Sequence, residues 1–404
     1  MFIGVRRDCH AATTSQGCDK KGMNMRFWKH LLCAGFGAAG VSSAHADPLA
    51  TPAMSATLSS DSSPTSVEVS PLGKIYIGGA GSILALGQSN AVPGDHSGLG
   101  DISNAQLFIQ KTDGLLQFYV QVGGYSLPSL GSAYSRFWDA TKNSYGIVPV
   151  AYLKFAPNAN FNIIAGKLPT LVGAEYTFTF QNNNIERGLL WNQEPAVSEG
   201  VQANYAKGPL AVSVSWNDGY YSGRYTSGSA LVTWTINPQD SIAIDASGNF
   251  DHSTKSGFAT PLVQNNGQIY NLMFTHTAGP LSITPYVQFT RTEADAAVGI
   301  LHGVTSTGFA VLAKYSFTPK FSIAARGEYI GTTGNNLNGP NILYGPGSAA
   351  WSLTITPTYQ FKILYIRPEL SYTQATSVTP GDAFGALGVN RSQVRGLLEM
   401  GVLF

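Results

Sequence analysis

Apolar and polar residues alternate strictly along several segments of the chain. Every odd position from Trp351 to Tyr359 is apolar, while the even positions from Ser352 to Gln360 carry Ser, Thr or Gln. Side chains with this two-residue period point to opposite faces of a β-strand. The same pattern recurs in residues 209–218 and 280–290. Each of these segments is predicted to form a strand with one apolar and one polar face.

Extending this interpretation predicts sixteen strands. They span residues 74–89, 103–111, 115–126, 146–157, 161–170, 198–206, 209–218, 226–236, 240–250, 267–277, 280–293, 306–317, 321–332, 348–360, 363–375 and 392–404. Joins of two or three residues, most with turn formers, alternate with long polar loops. This rhythm is typical of outer-membrane barrels, with short periplasmic turns and long extracellular loops. The predicted fold is all-β, a transmembrane antiparallel β-barrel of 16 strands; one miscounted hairpin would give 14 or 18.

Composition narrows the class of protein. Of 404 residues only 12% are charged, about half the usual share of a soluble globular protein. The chain has 45 Gly but no run of 18 apolar residues, so a bundle of transmembrane helices is excluded. A large secreted β-sandwich and a membrane barrel both remain compatible with the alternation. The alternating loop lengths favour the barrel.

The amino-terminal part has the pattern of an export signal. In residues 23–46 a basic start precedes an apolar core, and Ala44 and Ala46 form a small-x-small end. This order is typical of a secretory signal peptide, with cleavage expected after Ala46. Residues 1–22 precede the signal and are interpreted as a mis-annotated upstream extension.

Two segments remain after cleavage. Residues 47–73 are rich in Ser, Thr, Pro and Ala and are predicted to be a flexible periplasmic segment, and residues 74–404 form the barrel. All three cysteines precede the cleavage site, so no disulfide is expected. No basic run remains, which argues against a nucleic-acid partner.

The carboxyl terminus gives a sharper signal. Leu398, Met400, Val402 and the final Phe404 share one face of the last strand. The segment looks like the closing strand of bacterial outer-membrane proteins, whose terminal aromatic residue is read by the barrel-assembly machinery. We therefore expect that machinery, outer-membrane lipid and lipopolysaccharide as partners, and the bacterial outer membrane as the location.

Four segments resemble the OmpL-like β-barrel porin family. They are Gly166 to Glu175, Asn182 to Leu190, Glu199 to Tyr205 and Ile366 to Tyr372. Lys167-Leu168 departs from the basic–aromatic pair expected in the first segment. The resemblance implies a porin-like pore without naming a solute, and such porins are commonly homotrimers.

Charged residues within the strands are candidates for the wall of the pore. A charge on the lipid face costs roughly 2–4 kcal/mol at mid-depth, so these side chains are expected to point inward. The predicted basic set is Lys154, Lys167, Lys314, Arg326, Arg367 and Arg395, and the acidic set is Asp245, Glu328, Glu369 and Glu399. Alternatively, same-face neighbours such as Arg326 with Glu328 and Arg367 with Glu369 neutralise one another.

The longest loop, residues 171–197, is the third on the long-loop side. It carries Glu175, Glu186, Arg187 and Glu194. In sixteen-stranded porins the third loop commonly folds into the lumen, and we expect these acidic residues to face Arg326, Arg367 and Arg395. The alternative is a loop that stays outside as a contact surface. Neutralising the three arginines should shift ion selectivity toward cations.

Enzyme chemistry has little support in the sequence. Asp95-His96 and Asp251-His252 lie in predicted loops, but adjacent residues seldom orient each other as a catalytic pair must. No catalytic, metal or cofactor motif is found. The predicted function is therefore a passive pore for small hydrophilic solutes or ions, with a plugged barrel of structural or adhesive role as the alternative.

Overall fold

A computed structural model describes residues 58–59, 64–335 and 338–404 of the chain. The predicted signal peptide, its cleavage residues Ala44 and Ala46, and the upstream residues 1–22 lie outside the described residues.

The described chain is built mainly from strands. The strands are β1 (Thr65–Val69), β2 (Gly73–Gln88), β3 (Gly98–Lys111), β4 (Leu116–Tyr125), β5 (Val150–Asn158), β6 (Phe161–Pro169), β7 (Val197–Lys207), β8 (Leu210–Asn217), β9 (Ser227–Thr235), β10 (Asp240–Asn249), β11 (Gln268–Ala278), β12 (Leu281–Thr292), β13 (Val304–Thr318), β14 (Phe321–Thr332), β15 (Ala349–Phe361), β16 (Leu364–Thr376) and β17 (Ser392–Leu403). The helices are α1 (Phe137–Asn143) and α2 (Leu262–Asn265), with 3₁₀ turns at Thr179–Gln181, Trp191–Gln193 and Ala296–Val298.

Strands β2 to β17 close into a ring. Each pairs antiparallel with the next, and β17 returns to pair with β2 through Leu398↔Ala85 and Met400↔Ile83. This closed sixteen-stranded antiparallel barrel confirms the predicted class and strand number. Closure pairs the backbone groups that an open sheet would leave along its edges.

The connections between strands confirm the predicted alternation of short turns and long loops. Gly208-Pro209 and Gly279-Pro280 join their strands in two residues, whereas residues 126–149 and 170–196 form long loops at the opposite end. Gly208 and Gly279 have φ values of +60° and +56°, which glycine adopts without steric cost. The turns therefore lie on the periplasmic side and the loops on the extracellular side.

The two faces of the wall differ in chemistry, as the alternation predicted. In β15, Trp351, Leu353 and Ile355 are exposed on the outside, whereas Ser352 and Thr354 are buried inside. Exposed apolar side chains over a polar interior invert the arrangement of a soluble protein. This inversion suits a wall surrounded by lipid.

Three elements differ from the prediction. Strand β3 begins at Gly98, five residues before the predicted start, and helix α1 lies inside the loop between β4 and β5. Within the segment predicted to be flexible, β1 pairs with the start of β2 through Val67↔Ile75. Among the described residues, no helix is long and apolar enough to cross a membrane.

The carboxyl terminus completes the seam of the barrel. Gly79 N donates to the Phe404 carbonyl (2.8 Å), and Phe404 N donates to the Gly79 carbonyl (3.0 Å). A Cβ atom on Gly79 would lie 2.7 Å from Cζ of the Phe404 ring. The missing side chain at position 79 thus provides the space for the terminal aromatic ring.

Candidate functional site: the barrel interior and its third loop

The third loop, residues 170–196 in the structure, lies inside the barrel. Asn184 Nδ2 donates to Thr356 Oγ1 on β15 (2.6 Å), Thr179 Oγ1 donates to Glu399 on β17 (2.6 Å), and the Gly173 amide donates to Asp245 on β10 (3.1 Å). These strands are remote around the ring from β6 and β7, which the loop connects. The loop therefore crosses the interior.

A single asparagine organises the first half of the loop. Asn182 Oδ1 accepts from the Tyr176 amide (2.7 Å), and its Nδ2 donates to the Tyr176 and Phe178 carbonyls (2.8 and 2.9 Å). These bonds satisfy backbone groups that no strand pairs. Phe178 and Phe180 then stack on each other, and the ring of Phe180 lies 5.4 Å from that of Phe108 in the wall. This half of the loop is held by apolar packing.

Arg326 of β14 joins the wall to the loop. Its Nη1 donates to Glu175 (2.6 Å) and to the Glu186 carbonyl (2.7 Å), while its Nε donates to Glu328 (3.2 Å). The side chain of Arg326 is fully buried. One guanidinium thus binds a loop carboxylate, a loop carbonyl and a wall carboxylate together.

Arg395 of β17 makes an equivalent connection. Its Nη1 donates to Glu186 (2.6 Å) and to the Ser129 carbonyl (3.0 Å), and its Nη2 donates to the Ser132 carbonyl (2.9 Å). Ser129 and Ser132 belong to the loop between β4 and β5. Arg395 therefore holds two loops at once.

Arg367 of β16 pairs across the sheet. Its Nη2 donates to Glu399 and to the Thr179 carbonyl, and its Nη1 donates to the Asn182 carbonyl. Glu369 does not pair with Arg367; it accepts hydrogen bonds from the loop amides of Ile185 and Glu186. The ion pair anticipated within the strand is replaced by one to the neighbouring strand.

Arg187 lies in the loop and is fully buried. Its three guanidinium nitrogens have no hydrogen-bond partner among the described residues, and its Cζ lies 5.1 Å from the centre of the Trp191 ring. Burial lowers the pKa of Arg187 to about 10, which the carboxylates of Glu175 and Glu186 partly oppose. The cation is therefore stabilised by nearby charge and an aromatic face rather than by direct pairing.

The neighbouring part of the wall, formed by β10, β11 and β12, holds the loop without arginine. Asp245, Asn271 and Gln288 on β10, β11 and β12 point inward, and Gln288 Nε2 donates to Glu194 of the loop (2.8 Å). Burial, reinforced by the carboxylate of Asp245, raises the pKa of Glu194 well above its usual range. The sequence analysis included Asp245 and Glu194 but missed Asn271 and Gln288.

The lysines differ from the arginines in position. Lys154 and Lys314 lie on inward faces towards the periplasmic turns, away from the third loop. Lys167, predicted to point into the lumen, pairs across the sheet with Ala151 and Glu199 in the outward row. This assignment requires correction: strand alternation places Lys167 outside near the extracellular rim. There its Nζ reaches the carbonyls of Tyr145 and Val148.

The aspartate–histidine neighbours noted in the sequence, Asp95-His96 and Asp251-His252, lie in the loops after β2 and β10. Asp95 accepts from Gln88 (2.8 Å) and from the Tyr134 amide (3.1 Å), while His252 lies 3.6 Å from Asp295. Within residues 64–335 and 338–404, no three His, Cys, Asp or Glu side chains are placed to bind a metal together.

A closed barrel with an apolar outside, a polar wall and a long loop folded inside is the architecture of outer-membrane porins. The protein is an outer-membrane β-barrel of this class. The family described as "Putative beta-barrel porin-2, OmpL-like" matches residues 84–404, and the chain belongs to it. The resemblance drawn from the sequence is thereby confirmed. Among curated protein sequences, no significant match was found.

Solved structures with the same fold are outer-membrane barrels. OmpT of Vibrio cholerae has 13% identity and a TM-score of 0.56, covering 83% of this chain and 99% of that one. OmpF of Salmonella typhi, in complex with daunomycin, has 13% identity and a TM-score of 0.53, covering 84% and 100%. The outer membrane channel DcaP of Acinetobacter baumannii has 12% identity and a TM-score of 0.52, covering 82% and 97%. At these identities the likeness concerns the fold alone.

Proposed function

We propose that this protein is a porin through which small hydrophilic solutes or ions diffuse passively, with the third loop forming the constriction. The observation that carries the proposal is the position of this loop inside the barrel, tied to the wall by Arg326 and Arg395. Ions in a narrow pore between low-dielectric walls respond strongly to such charges. Membership of a porin family supports the same function.

A second candidate, a plugged barrel with a structural or adhesive role, is favoured by a different observation. Arg326, Arg367 and Arg395 are each at most 1% exposed, so solvent does not reach them in this conformation. Such a barrel would act through its extracellular loops and would conduct only after the loop moved. The two candidates therefore differ in the conductance of the intact chain.

Single-channel recording in a planar bilayer distinguishes them. The refolded mature chain, residues 47–404, is expected to give small discrete steps if it is a porin. Silence from a folded, heat-modifiable barrel would support the plugged alternative. A matched variant, in which a short Gly-Ser linker replaces residues 174–193, should give larger steps in either case. It therefore reports that insertion into the bilayer has succeeded.

Ion selectivity tests the proposed role of the charged wall. Under a salt gradient, replacing Arg326, Arg367 and Arg395 together by Gln should shift the reversal potential toward cations. The reason is that Glu175, Glu186 and Glu399 would lose their partners. An unchanged reversal potential would contradict the assignment of these residues to the ion path.

The proposed function as a porin also implies how the chain is exported and assembled. Residues 23–46 are removed on export, the barrel lies among outer-membrane lipid and lipopolysaccharide, and three copies form a homotrimer. Leu398, Met400, Val402 and Phe404 supply the signal for the barrel-assembly machinery. Deletion of Phe404 should lower the amount of folded barrel in the outer membrane. Crosslinking of intact cells tests the trimer.

A further inference from the structure

Four oxygen-bearing side chains meet where the third loop lies against β10, β11 and β12. Asp245 is directly opposite Asn271, and Asn271 is directly opposite Gln288, so the three form a row across adjacent strands. Directly opposite side chains on one face lie about 4.5–5.5 Å apart. Glu194 of the loop reaches this row through its hydrogen bond from Gln288. All four residues are more than nine-tenths buried.

The two carboxylates approach each other at Gly173. The Gly173 amide donates to Asp245 Oδ2 (3.1 Å), and a Cβ on Gly173 would lie 1.9 Å from Glu194 Oε2. Gly173 has a φ of +81°, which glycine adopts without steric cost. The missing side chain also leaves space for the Glu194 carboxylate. Both acidic groups therefore flank the same backbone position.

Hydrogen-bond donors do not satisfy this cluster. The two amide groups direct their nitrogens to the carboxylates: Asn271 Nδ2 donates to Asp245 Oδ1 (2.9 Å) and Gln288 Nε2 to Glu194 Oε1 (2.8 Å). Their own oxygens, Asn271 Oδ1 and Gln288 Oε1, and also Glu194 Oε2, are buried without a partner among the described residues. Buried acceptors without donors are costly and rare in native proteins. The cluster is therefore short of positive charge.

The ion pairs of the described interior do not supply that charge. They join Arg326, Arg367 and Arg395 to carboxylates on β14 and β17 and in the loop, and none involves Asp245 or Glu194. A buried carboxylate without a counter-ion is strongly disfavoured unless it binds a cation or a proton.

We propose that Asp245, Glu194, Asn271 and Gln288 bind a divalent hard cation, Ca²⁺, with both side-chain amides turned over so that their oxygens, and not their nitrogens, face the carboxylates. Calcium takes six to eight oxygen ligands from carboxylates, amide carbonyls and water. Two carboxylates balance its charge, and the absence of nitrogen or sulfur ligands from these four side chains disfavours zinc. The site goes beyond the proposed pore and stands whether or not the barrel conducts.

The placement gives such an ion a structural effect. Among the four ligands Glu194 lies near the end of the third loop and the others lie on three neighbouring strands, while Gly173, near the start of the loop, is held to the ligand Asp245 by its amide. A bound ion would fasten both ends of the loop to the same side of the barrel. Calcium should therefore stabilise the folded barrel, because only the folded chain brings the ligands together.

The test uses the refolded mature chain in lipopolysaccharide-free detergent micelles. After treatment with chelator, millimolar CaCl₂ should raise the midpoint of thermal unfolding by about 3 °C or more. Tb³⁺ should bind saturably, with luminescence sensitised by Tyr286, two residues before Gln288 on the same face, and should be displaced by Ca²⁺. No midpoint shift together with no saturable Tb³⁺ signal would overturn the proposal. So would a midpoint that depends on pH but not on Ca²⁺, because the carboxylates would then share a proton.

Variants separate this site from adventitious binding. Glu194→Gln and Asp245→Asn should abolish the Ca²⁺ shift, whereas Asp113→Asn, which changes a carboxylate in an exposed turn, should retain it. Asn271→Asp adds a charged ligand and should tighten Ca²⁺ binding about tenfold. This variant decides the question if the other two fail to fold. Equal responses in the wild type, Glu194→Gln and Asp245→Asn would contradict the assignment.

Discussion

The third loop is held on two sides of the barrel interior by different chemistry. On the arginine side, formed by β14, β16 and β17, Arg326, Arg367 and Arg395 each pair with a carboxylate. On the oxygen side, formed by β10, β11 and β12, the described contacts are amide hydrogen bonds to Asp245 and Glu194. One loop is thus fixed by three arginine ion pairs on one side, whereas the carboxylates Asp245 and Glu194 on the other side accept only from amides.

This difference separates two ways of fixing a loop. An arginine presents five donors in a rigid fork, so it can bind carboxylates and loop carbonyls in one geometry. An amide donates only through its nitrogen and leaves its oxygen to be satisfied by another group. The arginine side therefore supplies positive charge from within the chain, although Glu369 there is held by two amides and a hydroxyl, whereas the oxygen side depends on a charge from outside. Removing a charged side chain should therefore lower the free energy of unfolding on the arginine side, and should leave it constant or raise it on the oxygen side.

The largest effect is expected at Arg326. Arg326→Ala leaves Glu175 and Glu328 buried without their partner, and losing one partner of a buried pair typically costs about 3–5 kcal/mol. The free energy of unfolding, measured by urea titration in micelles, should fall by that amount. Arg224→Ala, which removes the exposed pair with Asp251, is the matched control and should cost about 0–1 kcal/mol. An equal fall in the free energy of unfolding in both variants would contradict the view that the buried arginine pairs fix the loop.

Glu186→Gln should have an intermediate effect. The change weakens one charge-assisted bond to Arg395, worth about 1.5–3 kcal/mol, while the carbonyls of Ser129 and Ser132 still hold the guanidinium. The same urea titration should show a smaller loss than in Arg326→Ala. A loss as large as that of Arg326→Ala would indicate that Glu186, rather than the arginines, organises the loop.

On the oxygen side, removing a charge should not lower the free energy of unfolding. In the presence of chelator, Glu194→Gln removes a buried negative charge that has no ion-pair partner in the described interior, so stability should stay constant or rise by about 1 kcal/mol. Urea titration with chelator present measures this change. A loss comparable to that of Arg326→Ala would mean that the two sides are held alike.

The smallest change in stability is expected at Lys167, near the extracellular rim of the barrel. Lys167→Gln removes a partly exposed cation 4.0 Å from Glu199, and such pairs contribute less than about 1 kcal/mol. Unfolding should be almost unchanged, and single-channel reversal potential should be unaffected because the side chain lies in the outward row. A clear shift of the reversal potential would place Lys167 on the ion path after all.

The sequence was sufficient to predict the wall of the barrel. Strict alternation in residues 348–360 identified both faces of β15, and short turns such as Gly208-Pro209 identified the periplasmic end. These features are local, because side-chain direction in a strand follows from position alone. The misplaced charge, Lys167, lies in a strand where apolar and polar residue types do not alternate, as Ile163 and Ile164 show, so the sequence did not identify its inward face.

Contacts between strands could not be predicted in this way. Arg367 pairs with Glu399 because the two lie directly opposite in the β16–β17 ladder, whereas Glu369 is two residues further along the same strand. Successive same-face residues are about 6.6 Å apart, which is farther than directly opposite ones. The row from Asp245 to Gln288 depends in the same way on register across three strands. The two-residue turn Gly279-Pro280 fixes the register of Asn271 and Gln288, but long loops join β10 to β11 and β16 to β17, and a long loop does not determine register.

The seam between Phe404 and Gly79 has a consequence for how the barrel forms. The last residue of the chain pairs with Gly79, in the first strand of the ring, so their contact closes a loop containing every other barrel strand. Such a contact has the largest chain entropy to overcome and is expected to form late in folding. Until then β2 and β17 both present unpaired edges. The contact between Phe404 and Gly79 is therefore expected to form after most strands of the wall have paired.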